Sequence, residues 1–491
     1  MAATPTVKTP AAHLVRQIGL ASGVSVVIGS TIGSGIFKSP SDIAGQLPGP
    51  LPMLAIWVVG GLIVLCGALT LGEVGGAFPY SGGLYVYVRE AYGRVPAFLF
   101  GWAQLVLLRP SSIGAVAVAF GEYALRLFGR EESQPGFHYL SAGFAVAAVL
   151  LVMLVNVLGV KFGTLVQNVT VIAKTGGLLL LILLAFAIGF PKSGGHFTPW
   201  TPAGSFSLPM FGLALVSVLW AYDGWADGSY ISGEMLEPRK NVPKAILFGT
   251  LVVIAVYVLA NFAYLAVFSV AEIAKSQTVA ADTMSKLVGA GGITFIAATV
   301  MISTFGTLNG TILTSPRIFF ALAEDKLFFE PISRVHPRYK TPYVSVILSG
   351  ILGIVYIVVA TALSGSKAFN SLTNAFVIGI VPFYALSVGS VFLFRRREKK
   401  RRIDRGLPLD DSLIDPVAEG HLETHPHPYV PSVHTPLYPL TPLLFLAACL
   451  FLLGDSLYEV DSRVPTIITL GILAAGIPLY YTTIGVRASK P

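Results

Sequence analysis

The chain has 491 residues, of which 54% are hydrophobic and 12% charged, with a formal net charge of +8 and a mean hydropathy of +0.74. Apolar runs long enough to cross a bilayer, with charges confined between them, exclude a soluble or disordered class and point to an all-α polytopic membrane protein. The positive charge lies in the connections, where it sets topology, so no nucleic-acid partner is expected.

The first ten residues are polar and lead into a full span, so no cleavable signal peptide is expected. Twelve spans are predicted, near 14–45, 51–77, 94–128, 138–158, 162–190, 207–231, 243–270, 289–323, 342–363, 369–394, 437–454 and 464–485. The termini and even-numbered connections hold about 22 Lys and Arg, the odd-numbered ones about 7. Both termini are therefore expected in the cytoplasm, with the chain multi-pass in the cell (inner) membrane. Arg395 to Arg402 gives the strongest single vote, as an anchor at the inner face or as a patch for anionic lipid.

The first span contains Ile28-Gly29-Ser30-Thr31-Ile32-Gly33-Ser34-Gly35-Ile36-Phe37. Each glycine inside a helix costs about 1 kcal/mol, so two half-helices joined by an unwound segment are predicted. Such backbone survives at membrane depth only when buried in protein or lining a wet cavity. A half-helix starting near Ser34 would aim free N–H groups at a carboxylate. The free carbonyls ending the first half would suit an ammonium or a sodium ion. Together they fit a zwitterionic amino acid; the plainer alternative is a glycine-rich packing face.

Glu73 ends the second span and is expected near the cytoplasmic surface, ahead of Pro79-Tyr80-Ser81-Gly82-Gly83. Arg109-Pro110-Ser111-Ser112 interrupts the third, as a vestibule wall or a packing kink. Lys174 lies deep in the fifth, where a lysine needs a partner or a low pKa. It is predicted to fix the first helix in place, with proton exchange as a further role open to it; a structural bond to backbone carbonyls is the alternative. Trp220-Ala221-Tyr222-Asp223-Gly224-Trp225-Ala226-Asp227-Gly228-Ser229 breaks the sixth span. Interrupted helices at matching places in two five-helix halves indicate an inverted repeat with its site at the midplane. The halves are predicted at 14–195 and 207–394, followed by a hydrophilic cytoplasmic loop at 395–436 and helices 11 and 12 at 437–486. The eighth span crowds Ser303, Thr304, Thr307, Asn309, Thr311, Thr314 and Ser315 on one helix, for close packing or for contact with Lys174 or sodium. His421, His425, His427 and His434 of the loop read as solvated rather than metal-binding, and Cys66 and Cys449 as buried small hydrophobes.

No Walker A loop and no His-Glu-x-x-His motif is present, so neither an ATPase nor a metalloenzyme is indicated, and no cofactor or metal is expected. A channel would have no reason for two matched broken helices.

Gly33-Ser34-Gly35-Ile36-Phe37 resembles the unwound first helix of the amino acid–polyamine–organocation transporters. Ser81-Gly82-Gly83 with Tyr85 and Tyr87, Arg109-Pro110-Ser111-Ser112, and Glu234 with Glu237-Pro238 and Asn241-Val242-Pro243 are similar to the L-type amino acid transporter branch. So are Leu308-Asn309-Gly310, Ser315-Pro316-Arg317-Ile318-Phe319-Phe320 and Tyr438-Pro439-Leu440-Thr441-Pro442. The resemblance covers about residues 14–486, apart from the 398–436 loop. It implies a LeuT-like fold of 12 transmembrane helices with a 5+5 inverted repeat and broken helices 1 and 6. It implies amino acid binding between the first, third, sixth, eighth and tenth helices. The substrate site it implies comprises Thr31, Ile32, Gly33, Ser34, Gly35, Trp220, Ala221, Asp223 and Gly224. Amides near Ser34 and Gly35 would hold the carboxylate, and carbonyls near Thr31, Trp220 and Asp223 the amino group. Trp220 matches an aromatic gate. Lys174 matches a lysine that, in sodium-independent members, stands where sodium would bind.

Three features depart from the branch. Residues 126–137 lack the cysteine by which heteromeric members join a heavy chain, so no disulfide-linked heavy chain is expected. Asp223 and Asp227 replace uncharged residues, and Ala226 an amide. The expected function is secondary amino acid transport by alternating access, as sodium-independent exchange or uptake of neutral amino acids. The alternatives are a cationic amino acid or polyamine transporter and a proton-coupled symporter.

Overall fold

The computed structural model describes residues 14–130, 133–276, 278–404, 429–458 and 460–484. The polar segment before residue 14, the histidines at 421, 425 and 427 and the last residue of the twelfth predicted span lie outside these. Among the described residues eleven helices are long and apolar enough to cross a membrane, and one bent pair makes twelve.

The bent pair is the first span, α1 (Leu20–Thr31) and α2 (Gly35–Gln46), meeting at 41°. The break is shorter than the glycine-rich stretch suggested. Gly29 and Ser30 remain helical, and only Ile32 to Ser34 leave the ladder. Next come α3 (Pro50–Ala77), the short α4 (Leu84–Tyr92), and a third span built from α5 (Arg94–Ala103) and α6 (Arg109–Leu127). A π-turn at Gln104–Leu108 joins these last two, immediately before Pro110. Proline removes a helical donor and crowds the preceding turn, and the wider turn absorbs it. The first half closes with α7 (Phe137–Val157), α8 (Val160–Leu184) and α9 (Phe190–Ser193).

The sixth span starts as α10 (Leu208–Tyr222) and breaks at Asp223. Its second half is not an α-helix. Two 3-10 turns, Asp227–Ser229 and Ser232–Glu234, lead the chain out instead. Gly224 takes φ +107, which disfavours a side chain and stops the helix. The remaining elements are α11 (Pro238–Val267), the short α12 (Val270–Lys275) and α13 (Val279–Val288), then α14 (Ala290–Glu324), α15 (Tyr343–Ser364) and α16 (Ala368–Asp404). The chain ends with α17 (Leu440–Tyr458), α18 (Val460–Ala474) and α19 (Gly476–Leu479). Spans at matching places in the two halves pack on each other, α3 on α11 and α6 on α14.

Large apolar side chains face outward on the peripheral helices, among them Leu154 of α7, Ile172 of α8, Val358 of α15 and Ile468 of α18. Such a surface suits acyl chains. Polar side chains turn inward instead. Ser303, Thr304, Thr307, Asn309, Thr311, Thr314 and Ser315 of α14 are all buried. The Asn309 amide donates to Gln167 Oε1 at 2.8 Å and accepts from Asn156 at 2.9 Å, tying α14 to α8 and α7.

Ion pairs close the end of the bundle where the chain begins. Arg317 on α14 pairs with Glu234 at 2.6 Å, with side chains 1% and 0% exposed. Glu73, expected near the cytoplasmic surface, is fully buried. Its carboxylate accepts two bonds from Arg395, at 2.8 and 2.7 Å, one from the Tyr429 hydroxyl at 2.6 Å and one from the Thr435 N–H at 2.6 Å. Those four bonds compensate the burial of a charge. The loop expected from 395 also starts later, because α16 runs on to Asp404. Arg395 is drawn onto Glu73 and Arg397 onto the carbonyls of Glu90 and Ala91.

Arg317→Leu leaves the Glu234 carboxylate buried without its cation, a loss of about 3–5 kcal/mol. Thermal unfolding of the purified protein in detergent, followed by tryptophan fluorescence, should show a clear fall in the midpoint. An unchanged midpoint would show that the pair does not hold this end together.

Candidate functional site

The two breaks face each other near the middle of the bundle and enclose a small polar cavity. Ser30, Thr31, Gly33, Ser34 and Gly35 line it from the first span, Trp220, Asp223, Gly224 and Asp227 from the sixth. Arg109, Ser112 and Val116 of α6 and Thr307 and Thr311 of α14 complete the wall. Seven of the nine predicted substrate residues therefore meet here. Ile32 and Ala221 do not line the cavity. Ile32 is fully buried, with its carbonyl turned to Lys174, and Ala221 packs its Cα behind Gly35.

Close approach of the breaks depends on two glycines. A Cβ on Gly35 would stand 2.6 Å from the Ala221 Cα, and one on Gly224 would stand 2.6 Å from the Ser30 carbonyl carbon. Any side chain at either position forces α1, α2 and α10 apart.

The start of α2 lines the cavity. Because α2 begins at Gly35, the N–H groups of Gly35 and Ile36 have no helical carbonyl behind them, and the positive end of the helix dipole faces the cavity. Among the described residues the buried hydroxyls of Ser30 and Ser34 have no hydrogen-bond partner. Such groups are costly unless something else satisfies them.

The carbonyls ending α1 are held from behind. Lys174 Nζ, 0% exposed, donates to Gly29 O at 2.6 Å and Ile32 O at 2.5 Å, and lies 3.2 Å from Thr307 Oγ1. Thr307 and Ser303 add hydroxyl bonds to Ile32 O, at 3.0 and 2.8 Å. Among the described residues no carboxylate bonds the ammonium; carbonyl dipoles at the negative end of α1 serve instead. Lys174 is thus behind the break rather than in the cavity wall. The Tyr257 hydroxyl on α11 bridges the two breaks, 2.8 Å from Thr31 O and 3.0 Å from Ala221 O. The Trp220 carbonyl is engaged as well, accepting from the Asp223 N–H at 3.1 Å.

Charges in the wall are paired. Arg109 lies 3.2 Å from Asp227 Oδ1 and over the Tyr230 ring, with Thr314 bonded to the second Asp227 oxygen. This gives Arg109 a vestibule place and explains Asp227. Asp223 accepts a 2.5 Å bond from the Tyr384 hydroxyl on α16. Trp220 meets Phe369 and Phe376 edge-on, with centroids 6.2 and 5.6 Å apart. Beyond Phe369, toward the opposite end, Lys38 of α2 bonds Glu122 of α6 at 2.6 Å and lies 4.2 Å over the Phe369 ring.

Sequence reasoning misses Tyr257 and Tyr384. Both are tyrosines inside otherwise apolar spans, where the hydroxyl needs a buried partner; that need is the one signal they give.

The Amino acid permease family model matches residues 18–486. The serine/threonine exchanger SteT of Bacillus subtilis (strain 168) is 33% identical over 474 residues, covering 95% of this chain and 97% of that protein. The human (Homo sapiens) b(0,+)-type amino acid transporter 1 is 33% identical, covering 79% of this chain and 78% of its own length. The large neutral amino acids transporter small subunit 2 of Mus musculus is 30% identical, covering 95% and 81%. These relatives are transporters, not enzymes. A polytopic helical chain with two facing breaks around one cavity, matched by this family model over nearly its whole length, belongs to the amino acid permease family and transports amino acids.

Proposed function

We propose that the chain is a sodium-independent exchanger or uptake system for neutral amino acids, working by alternating access around the cavity between the two breaks. The observation that carries this reading is the meeting of the two broken spans around one polar cavity, lined by the start of α2 at Gly35 and by Ser34, whose hydroxyl is buried without a partner among the described residues. An α-carboxylate fits the amides of Ser34, Gly35 and Ile36. An α-ammonium fits the carbonyl side near Thr31, Trp220 and Asp223 once it displaces the bonds these groups make to one another and to Tyr257. Trp220 would cap the bound molecule. The substrates for which the bacterial relative is named, serine and threonine, are consistent with so small a cavity.

Sodium independence rests on Lys174. Its ammonium already neutralises the carbonyls of Gly29 and Ile32, so a monovalent cation has nothing to add there. A cationic substrate is the second reading, favoured by one observation: Asp223 lines the cavity. Further parts of the proposal are a cell (inner) membrane location with both termini cytoplasmic, which rests on the Lys and Arg distribution, and function without a disulfide-linked heavy chain, since residues 126–137 hold no cysteine.

Labelled serine counterflow in proteoliposomes tests the function. Saturable uptake accelerated by unlabelled serine inside is expected; flux without trans-stimulation would favour a channel. Replacing sodium by choline should leave uptake unchanged, and its disappearance would refute the assignment of Lys174. Lys174→Ala should reduce transport at least about tenfold at near-normal membrane levels, because the scaffold then loses its hold on α1. Gly35→Val should abolish serine binding in protein that still reaches the membrane, since the added carbon collides with Ala221. Wild-type affinity in that variant would exclude the carboxylate site.

A further inference from the structure

Asp223 is placed between two spaces. It lines the polar cavity and also an adjoining apolar pocket with Leu219, Phe376, Ile380, Tyr384 and Phe445. Tyr384 lines the apolar pocket. Its ring lies 5.2 Å from that of Trp225, at 44°, and Trp225 rests edge-on against Phe445 of α17. The tyrosine is therefore held by packing, independently of its hydroxyl, which donates to Asp223 Oδ1 at 2.5 Å.

We propose that Tyr384 determines whether the cavity accepts neutral or cationic side chains, by occupying one oxygen of the Asp223 carboxylate. The proposal rests on the amino acid transport reading above and names the charge class of its substrate. A guanidinium binds a carboxylate best through both oxygens at once. Because Oδ1 already accepts from Tyr384, a guanidinium reaching both oxygens has to share that one with the hydroxyl and gains less from it. A neutral side chain needs neither oxygen. Removing the hydroxyl alone leaves the ring on Trp225 and Oδ1 without this donor, so that a substrate ammonium or guanidinium becomes a better partner for the carboxylate.

The experiment measures inhibition of labelled serine uptake by unlabelled serine and by arginine. It uses wild type, Tyr384→Phe, Asp223→Asn and the double variant, in proteoliposomes of the full chain. Binding to the purified proteins, read as ligand-induced thermal shift, covers any variant that binds without turning over. In Tyr384→Phe the preference for arginine relative to serine should rise about tenfold, the size of one hydrogen bond to a charged group, with the serine KM within about twofold of wild type. In the Asp223→Asn background the same substitution should leave the preference unchanged. An unchanged preference in Tyr384→Phe would overturn the proposal, and so would an equal rise in the Asp223→Asn background, which would make Tyr384 a packing residue only. Wild type that already prefers arginine would defeat the neutral-substrate reading, yet a rise in Tyr384→Phe that depends on Asp223 would still support the role of Tyr384. Absence of any serine or arginine binding in wild type would defeat both.

Discussion

The contact between the Lys174 ammonium and the carbonyls of Gly29 and Ile32 is the constraint on which the centre of the protein depends. A helix broken in the membrane exposes backbone groups that lipid cannot satisfy, each at a cost of several kcal/mol. At the end of α1 those groups are met by Lys174, Thr307 and Ser303 together. The lysine itself is tolerable at that depth only because the helix end supplies negative dipole where a counter-ion would otherwise be needed. Break and lysine stabilise each other.

The other buried charges meet the same need for partners. Arg109 is paired with Asp227, Arg317 with Glu234, and Glu73 with Arg395, Tyr429 and Thr435. These contacts link the second and sixth spans to the third, eighth and tenth. At the end where the chain begins Arg317 and Glu234 are 1% and 0% exposed, while Arg395 beside the buried Glu73 is 26% exposed. At the opposite end Lys38 and Glu122 are 19% and 11% exposed, and water can replace part of their bond.

Much of this was legible in the sequence. Glycines beside serines in an apolar run, repeated half a chain later by Asp223-Gly224, marked both breaks, and a solitary lysine in an apolar span marked its own need for partners. Twelve spans followed from hydropathy alone. The local details were not legible. The first break is only Ile32 to Ser34, because Gly29 and Ser30 remain helical once Lys174 and Thr307 bond the Gly29 carbonyl. The burial of Glu73 depends on Tyr429 and Thr435, more than 350 positions away, which periodicity cannot reveal. Tyr257 and Tyr384 escape notice because a tyrosine in an apolar run is ordinary until its hydroxyl partner is known.

Hydrogen–deuterium exchange across residues 26–36 in wild type and Lys174→Met, on purified full chain in lipid nanodiscs, tests the central claim most directly. If the ammonium fixes the break, the amides of Ile32 and Gly33, which bond Ile28 O and Thr31 O at 2.8 Å, should exchange at least about tenfold faster in the variant, while α14 keeps its protection. Equal protection of that segment in the two proteins would contradict the claim that Lys174 holds the first helix in place.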